Sequence, residues 1–219
     1  MPARTAIALL FVGNSLTATN DLPARLEEVA RASGLAVETA AVALSGASLD
    51  DHWRDGRALR AIRSRRWDVV VLQQGPSTRP ESRAELIAST RRFAAEIRAS
   101  GARPALLMVW PLPGQTFEAV AASYRAAAEA EGTLLFPAGE AWRRALARDP
   151  GLRLFGPDGF HPSAAGTWLA AATIVCSLFP QATPVLPAST RGDAEAPLTG
   201  SQRQLFSETA CRAAGGEER

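Results

Sequence analysis

A chain of 219 residues and 23.2 kDa suits one domain, and its hydrophobic fraction of 47% is ample for a buried core. A formal net charge of +2 gives no electrostatic case for nucleic acid or an anionic membrane as partner. All 24 basic side chains are arginines, which excludes both a Schiff-base lysine and a phosphate-loop lysine.

Residues 7–12 are a continuous apolar run closed by Gly13, the pattern of a central parallel strand covered on both faces. The run is too short to span a membrane and no cleavage site follows it. The chain as given is therefore expected to be cytoplasmic by default and without stable membrane insertion; a leader removed upstream is compatible with this. Residues 21–33 carry Leu22, Leu26 and Val29 at helical spacing and stop before Gly34. A second strand is predicted over 37–44, a helix over 49–65, and a third, valine-rich strand over 68–72. The arginines between Arg54 and Arg66 read as a solvated helix face. A long helix over 79–100 ends at Gly101, and a strand over 104–110 is stopped by Pro111 and Pro113.

A helix over about 116–131, a short strand over 133–136 and a helix over about 139–148 follow. The Gly- and Pro-rich stretch 149–161 must be loop. Residues 162–178 are predicted helical, with Pro162 at the first helical position. Residues 180–198 read as a surface connection, 201–214 as a closing helix, and the last residues as a frayed end. Cys176 and Cys211 show no metal-like spacing, and Cys176, inside an apolar run, reads as a buried thiol. Strands alternating with helices predict a doubly wound parallel sheet with helices on both faces, in one domain over 1–219. Its core covers about 5–180 and a C-terminal extension about 181–219.

In such sheets ligands bind beyond the carboxyl ends of the strands. Four polar segments fall on that edge: Gly13-Asn14-Ser15, Ser45-Gly46-Ala47-Ser48, Gln73-Gln74-Gly75 and Asp158-Gly159-Phe160-His161. Asp158 is three residues before His161, close enough for its carboxylate to reach Nδ1 and leave Nε2 free to accept a proton. A serine hydroxyl needs such a base, and Ser15 stands where the first strand turns into loop. The N–H groups of Ser15 and Gly46 are candidate donors to a developing oxyanion, and the amide of Gln73 or Gln74 could supply a third. His52, within Asp50-Asp51-His52-Trp53, reads as a neighbour of helix-capping carboxylates.

Together these segments resemble the SGNH (GDSL-like) hydrolase superfamily. Phe11-Val12-Gly13-Asn14-Ser15-Leu16 is similar to its nucleophile block, with Asn14 where aspartate is commoner. Gly46 matches the second block, and Asp158 with His161 matches the last, Asp-x-x-His. The third block departs: Val71-Leu72-Gln73-Gln74-Gly75-Pro76-Ser77 replaces Gly-x-Asn-Asp, a glutamine-glycine pair similar to that of carbohydrate O-acetylesterases in the superfamily.

The resemblance implies a flavodoxin-like, three-layer α/β/α sandwich with a central, mainly parallel five-stranded sheet. It also implies a serine carboxylic ester hydrolase working through an acyl-enzyme, with Ser15 as nucleophile, His161 as base and Asp158 orienting it. Ser15, Gly46 and Gln74 would form the oxyanion hole, with Gln73 in reserve. No metal or organic cofactor is expected, and the expected partner is a small-molecule ester, with an O-acetylated carbohydrate as the first choice. Trp53, Trp110 and Phe160 flank the expected cleft and could stack on a sugar ring. The alternatives are a lipase- or thioesterase-type member and a non-catalytic ligand-binding module on the same fold. A dinucleotide-dependent oxidoreductase would want Gly-x-Gly-x-x-Gly after the first strand, where this chain has Gly13-Asn14-Ser15-Leu16-Thr17.

Overall fold

The five apolar runs read as strands form one parallel sheet in the computed structural model, which describes residues 6–187 and 197–215. In chain order the elements are β1 (Ile7–Gly13), α1 (Ser15–Ala18), a 3₁₀ turn (Thr19–Asp21), α2 (Leu22–Ala32), β2 (Val37–Ala43), α3 (Leu49–Asp55), α4 (Arg57–Ser64) and β3 (Val69–Leu72). There follow α5 (Pro80–Ala99), β4 (Arg103–Leu107), α6 (Phe117–Glu131), β5 (Leu134–Phe136), α7 (Ala138–Arg148), α8 (Ala164–Leu178) and α9 (Gly200–Ala214). The strand order is β2-β1-β3-β4-β5, and every pairing is parallel. The architecture is a three-layer α/β/α sandwich.

Leu9 to Val12 and Val69 to Leu72 are buried, as expected for inner strands covered on both faces. Helices α2, α7, α8 and α9 pack together on one side, and α3, α4, α5 and α6 on the other. The chain leaves β1 for its neighbour β2 and then crosses back to β3 on the far side of β1. The β1–β3 boundary is thus the point where the winding reverses, and a crevice is expected there at the carboxyl ends.

Four expectations are corrected. The helix predicted over 49–65 is two, broken at Gly56, whose φ of +77° caps α3 and starts α4 at a new angle. Ser15, read as the point where the first strand turns into loop, instead opens α1, and the 3₁₀ turn follows it. Pro162 is not the first helical residue: Ser163 is the N-cap of α8, accepting from the Gly166 N–H, and Pro162 precedes it. Cys176 is buried but not a thiol, because it is bonded to Cys211 and joins α8 to α9. The expected surface connection over 180–198 and the expected frayed end lie partly outside the described residues. Among the described residues no helix is long and apolar enough to cross a membrane.

Candidate active site

Where β1 ends, the backbone passes through Gly13 and Asn14 into α1. The Asn14 side chain caps that helix, its Oδ1 accepting from the Leu16 N–H at 3.0 Å. The Ser15 N–H occupies the first helical position, where no carbonyl one turn back exists to receive it. Gly13 must lack a side chain, since a Cβ there would lie 2.5 Å from Thr17 Oγ1 and 2.6 Å from Gln73 Oε1.

The late loop brings His161 to this turn across 146 residues of sequence, with Nε2 2.8 Å from Ser15 Oγ. On the other side of the ring, Nδ1 lies 2.5 Å from Asp158 Oδ2. Asp158 is held in turn by its second oxygen, Oδ1, which accepts from the N–H groups of Phe160 (3.0 Å) and His161 (2.9 Å). The hydrogen bond from His161, helped by the one from the Phe160 N–H, pulls the Asp158 pKa down to about 2. An ionised carboxylate only accepts, so Nδ1 carries the imidazole proton and Nε2 presents its lone pair to the serine hydroxyl.

The β2–α3 connection supplies the facing wall. Gly46 has φ +71°, a left-handed conformation that favours glycine, and its N–H makes no hydrogen bond within the described residues. This loop is tied to the nucleophile turn by Asn14 Nδ2, which donates to the Ala47 carbonyl at 3.1 Å. The two glutamines after β3 part company. Gln74 lines the cleft; its Oε1 accepts from the Leu49 N–H at 3.0 Å and its Nε2 donates to Ser77 Oγ at 2.8 Å, leaving one amide N–H over. Gln73 is fully buried behind the turn and has spent both amide hydrogens, on Asn14 Oδ1 (3.0 Å) and the Gln74 carbonyl (2.8 Å). It has no donor left for a substrate.

Ser15 opens onto a cleft of about 420 Å³ that Asn14, Gly46, Gln74, Gln115 and Phe160 also line. Of the three aromatic residues expected there, only Phe160 lines it. Trp110 is buried, stacks on Trp142 with ring centres 3.9 Å apart, and donates its indole N–H to the Phe160 carbonyl at 2.9 Å. Trp53 packs edge-on against Phe93 on the outer helices. Among the described residues no group of three His, Cys, Asp or Glu side chains could hold a metal ion.

Asn20 went unassigned in the sequence, and His52 was read without its core contact. Asn20, at φ +57°, donates from Nδ2 to the Pro162 carbonyl (2.9 Å) and to Thr167 Oγ1 (3.0 Å), tying the base loop to the segment that follows the nucleophile. An asparagine beside a helix start is a turn signal, and asparagine tolerates the left-handed region better than most residues. His52 does follow a capping carboxylate, Asp51, but its own ring makes a contact the sequence did not show. The cap of α3 is the Ser48–Asp51 box, whereas His52 is buried with Nε2 2.7 Å from the Gly13 carbonyl.

No protein-family model matches the chain, and no curated protein matches it either. Solved structures do. A protein from Slackia heliotrinireducens, assigned provisionally as an SGNH hydrolase, is 29% identical with a TM-score of 0.65, over 76% of this chain and 96% of its own. A DUF4886 family protein from Bacteroides uniformis superposes with a TM-score of 0.77 over 95% of both chains at 19% identity. A mutant acetyl-xylooligosaccharide esterase from Geobacillus shares the fold at 18% identity, with a TM-score of 0.62 over 80% of this chain and 95% of its own. The fold, the block order and these likenesses together support the resemblance to the SGNH (GDSL-like) hydrolase superfamily.

Proposed function

We propose that this hydrolase is a serine esterase that cleaves small acyl esters through an acyl-enzyme. One observation carries the reading: a serine hydroxyl lies 2.8 Å from an imidazole nitrogen whose far side is held by a carboxylate, beside two backbone N–H groups without partners among the described residues. Ser15 Oγ attacks the ester carbonyl carbon while His161 Nε2 takes the hydroxyl proton. The carbonyl oxygen becomes an oxyanion received by the N–H groups of Ser15 and Gly46 and by the remaining amide N–H of Gln74. Collapse expels the alcohol, which leaves with the proton returned from Nε2. Water then attacks the acyl-enzyme, giving its proton to the same nitrogen, and the acid departs as Ser15 regains its hydrogen.

The substrate we favour is a carbohydrate carrying O-acetyl groups. Beyond Ser15 the cleft is lined by hydroxyl and amide groups, among them Ser48, Thr78, Ser82 and Gln115, with Phe160 as the aromatic wall. Those hydroxyl and amide groups can hydrogen-bond a sugar leaving group, and the mixed lining is not the long apolar channel that an acyl tail would want. The likeness to an acetyl-xylooligosaccharide esterase supports the same choice.

The test sets wild-type protein beside Ser15→Ala on nitrophenyl acetate, nitrophenyl octanoate and a panel of acetylated glycans, with a fluorophosphonate probe in parallel. The wild type should turn over acetyl esters, prefer acetyl to octanoyl and take one probe label, whereas the folded variant does neither. Equal turnover by Ser15→Ala removes Ser15 from the mechanism. A folded wild type inert to every ester and to the probe leaves a binding module instead, and a clear preference for octanoyl moves the substrate class to lipids.

A further inference from the structure

A buried imidazole that makes one hydrogen bond is an expensive way to fill a core. The His52 side chain is fully buried; among the described residues its Nδ1 has no partner and its single polar contact is Nε2 to the Gly13 carbonyl at 2.7 Å. A carbonyl can only accept, so the ring is the tautomer protonated on Nε2. Burial pushes its pKa below the ordinary imidazole value, which keeps the ring neutral.

The carbonyl it holds belongs to the peptide between Gly13 and Asn14. That oxygen also accepts from the Leu44 N–H at 3.0 Å. The N–H at the other end of the same peptide donates to Gln73 Oε1 at 3.0 Å, and Gln73 in turn grips Asn14 Oδ1 and receives the Thr17 hydroxyl at 2.8 Å. The peptide plane is thus pinned on both edges by buried side chains. The next peptide carries the Ser15 N–H, and Ser15 Cα carries the hydroxyl. Rotation of the pinned plane would swing both, and a displacement of about 1 Å is enough to cost a reaction on the order of a hundredfold.

We infer that His52 and Gln73 are positioning residues that clamp the Gly13–Asn14 peptide and so aim the Ser15 hydroxyl at His161 and the Ser15 N–H at the oxyanion. This rests on the esterase reading above, and it moves Gln73 from donor in reserve to clamp. Neither side chain touches substrate.

The test compares wild type with His52→Leu, His52→Asn and His52→Gln. Leucine has no donor, asparagine is polar but too short for the Gly13 carbonyl, and glutamine can place an amide N–H near where Nε2 stood. The readouts are kcat and KM on nitrophenyl acetate, thermal melting, and nitrogen-15 spectra of the imidazoles and backbone amides. The wild-type His52 ring should be protonated on Nε2 alone. His52→Leu and His52→Asn should lower kcat roughly ten- to a hundredfold, less than loss of a direct oxyanion donor, with KM within about twofold and the Ser15 amide signal displaced. His52→Gln should bring back most of kcat and return that signal.

A kcat for His52→Asn within about twofold of wild type, or a His52→Gln no better than His52→Asn, overturns the clamp. Should His52→Leu fail to fold, the asparagine–glutamine pair decides. Should the wild type be inert to esters and probe, the esterase reading fails separately. The spectra then judge the clamp: a ring protonated on Nδ1, or a Ser15 signal unmoved in His52→Asn, ends it.

Discussion

Asp158 is about half exposed, with a side-chain accessibility of 51%. Water can therefore share its work, and the two backbone N–H groups on its other oxygen carry much of its fixation. Its lowered pKa, about 2 against an ordinary 3.8, sets the sign of the pH dependence. The hydrogen bonds that lower it contribute stability fully above the ordinary value, and that contribution is lost as the pH falls through about 2. Across the usual assay range the carboxylate is ionised, so acidification from pH 8 to pH 5 does not change its role. Asp158→Asn replaces an acceptor by an amide that can donate to Nδ1, which would put the ring proton on Nε2, where it cannot receive the serine's. We expect kcat to fall by about 10² to 10⁴, the exposure of the site favouring the lower end, with KM little changed. Steady-state kinetics on nitrophenyl acetate at pH 8, where the Asp158 carboxylate is ionised, read the loss. A variant kcat within about twofold of wild type would remove Asp158 from the mechanism. The Ser15–His161–Asp158 contact was readable because these are polar groups at a strand end and in a Gly-rich late loop, where packing does not ask for them. His52 and Asn20 were not: their partners are backbone carbonyls 39 and 142 residues away, and a carbonyl leaves no mark on a sequence.

At the scale of elements, hydrophobic periodicity located the strands and helices but said little of how helices meet loops. The break at Gly56 shows why: a glycine inside a helical pattern is tolerated or terminal, and only tertiary packing of α3 and α4 decides which. Gly166 is the sharper case. It stands in the first turn of α8, just after the base loop, and a Cβ there would lie 2.3 Å from the Leu154 carbonyl and 2.4 Å from the Trp142 ring. Both neighbours are fixed. The Leu154 carbonyl receives the Ser163 N–H at 2.9 Å, and Trp142 donates its indole N–H to the Gly166 carbonyl at 3.2 Å while stacking on Trp110. The helix can approach only as a glycine, and α8 cannot back away without dragging the loop that holds His161. Gly166→Ala should therefore destabilise the fold by about 1–3 kcal/mol, despite alanine's better helix propensity. It should also lower kcat, because the same displacement moves the base. Urea unfolding and steady-state kinetics read the two effects. An unchanged or raised midpoint would show that the contact yields without cost.

Across the whole molecule, the sheet order brings the ends of β1 and β3 together at the winding reversal, and the late loop reaches the same edge. The sequence pattern implied that common edge, since parallel strands must all end on one side. It did not imply what closes the other end. There α9 packs on α7 and α8, held by the Cys176–Cys211 bond. Two cysteines inside helical patterns carry no signature of pairing; only the approach of α9 to α8, with Cα atoms 5.0 Å apart at the bond, creates one. The bond closes a segment with a sequence separation of 35, and the loop-closure model gives it about 3–4 kcal/mol of stability, through restriction of the unfolded chain. Cys176 lies near the carboxyl end of α8, about 18 Å along the helix from the end that follows His161, at 1.5 Å per residue. Stability and catalysis should therefore separate. Replacing both cysteines by alanine, or reducing the bond, should lower the melting temperature by roughly 10 °C for a chain of this size while leaving kcat and KM on nitrophenyl acetate within about twofold. Catalysis falling in step with stability, at a temperature where the variant is still folded, would mean that α9 transmits its position through α8 to the base. An unchanged melting temperature would mean that packing alone holds α9 in place.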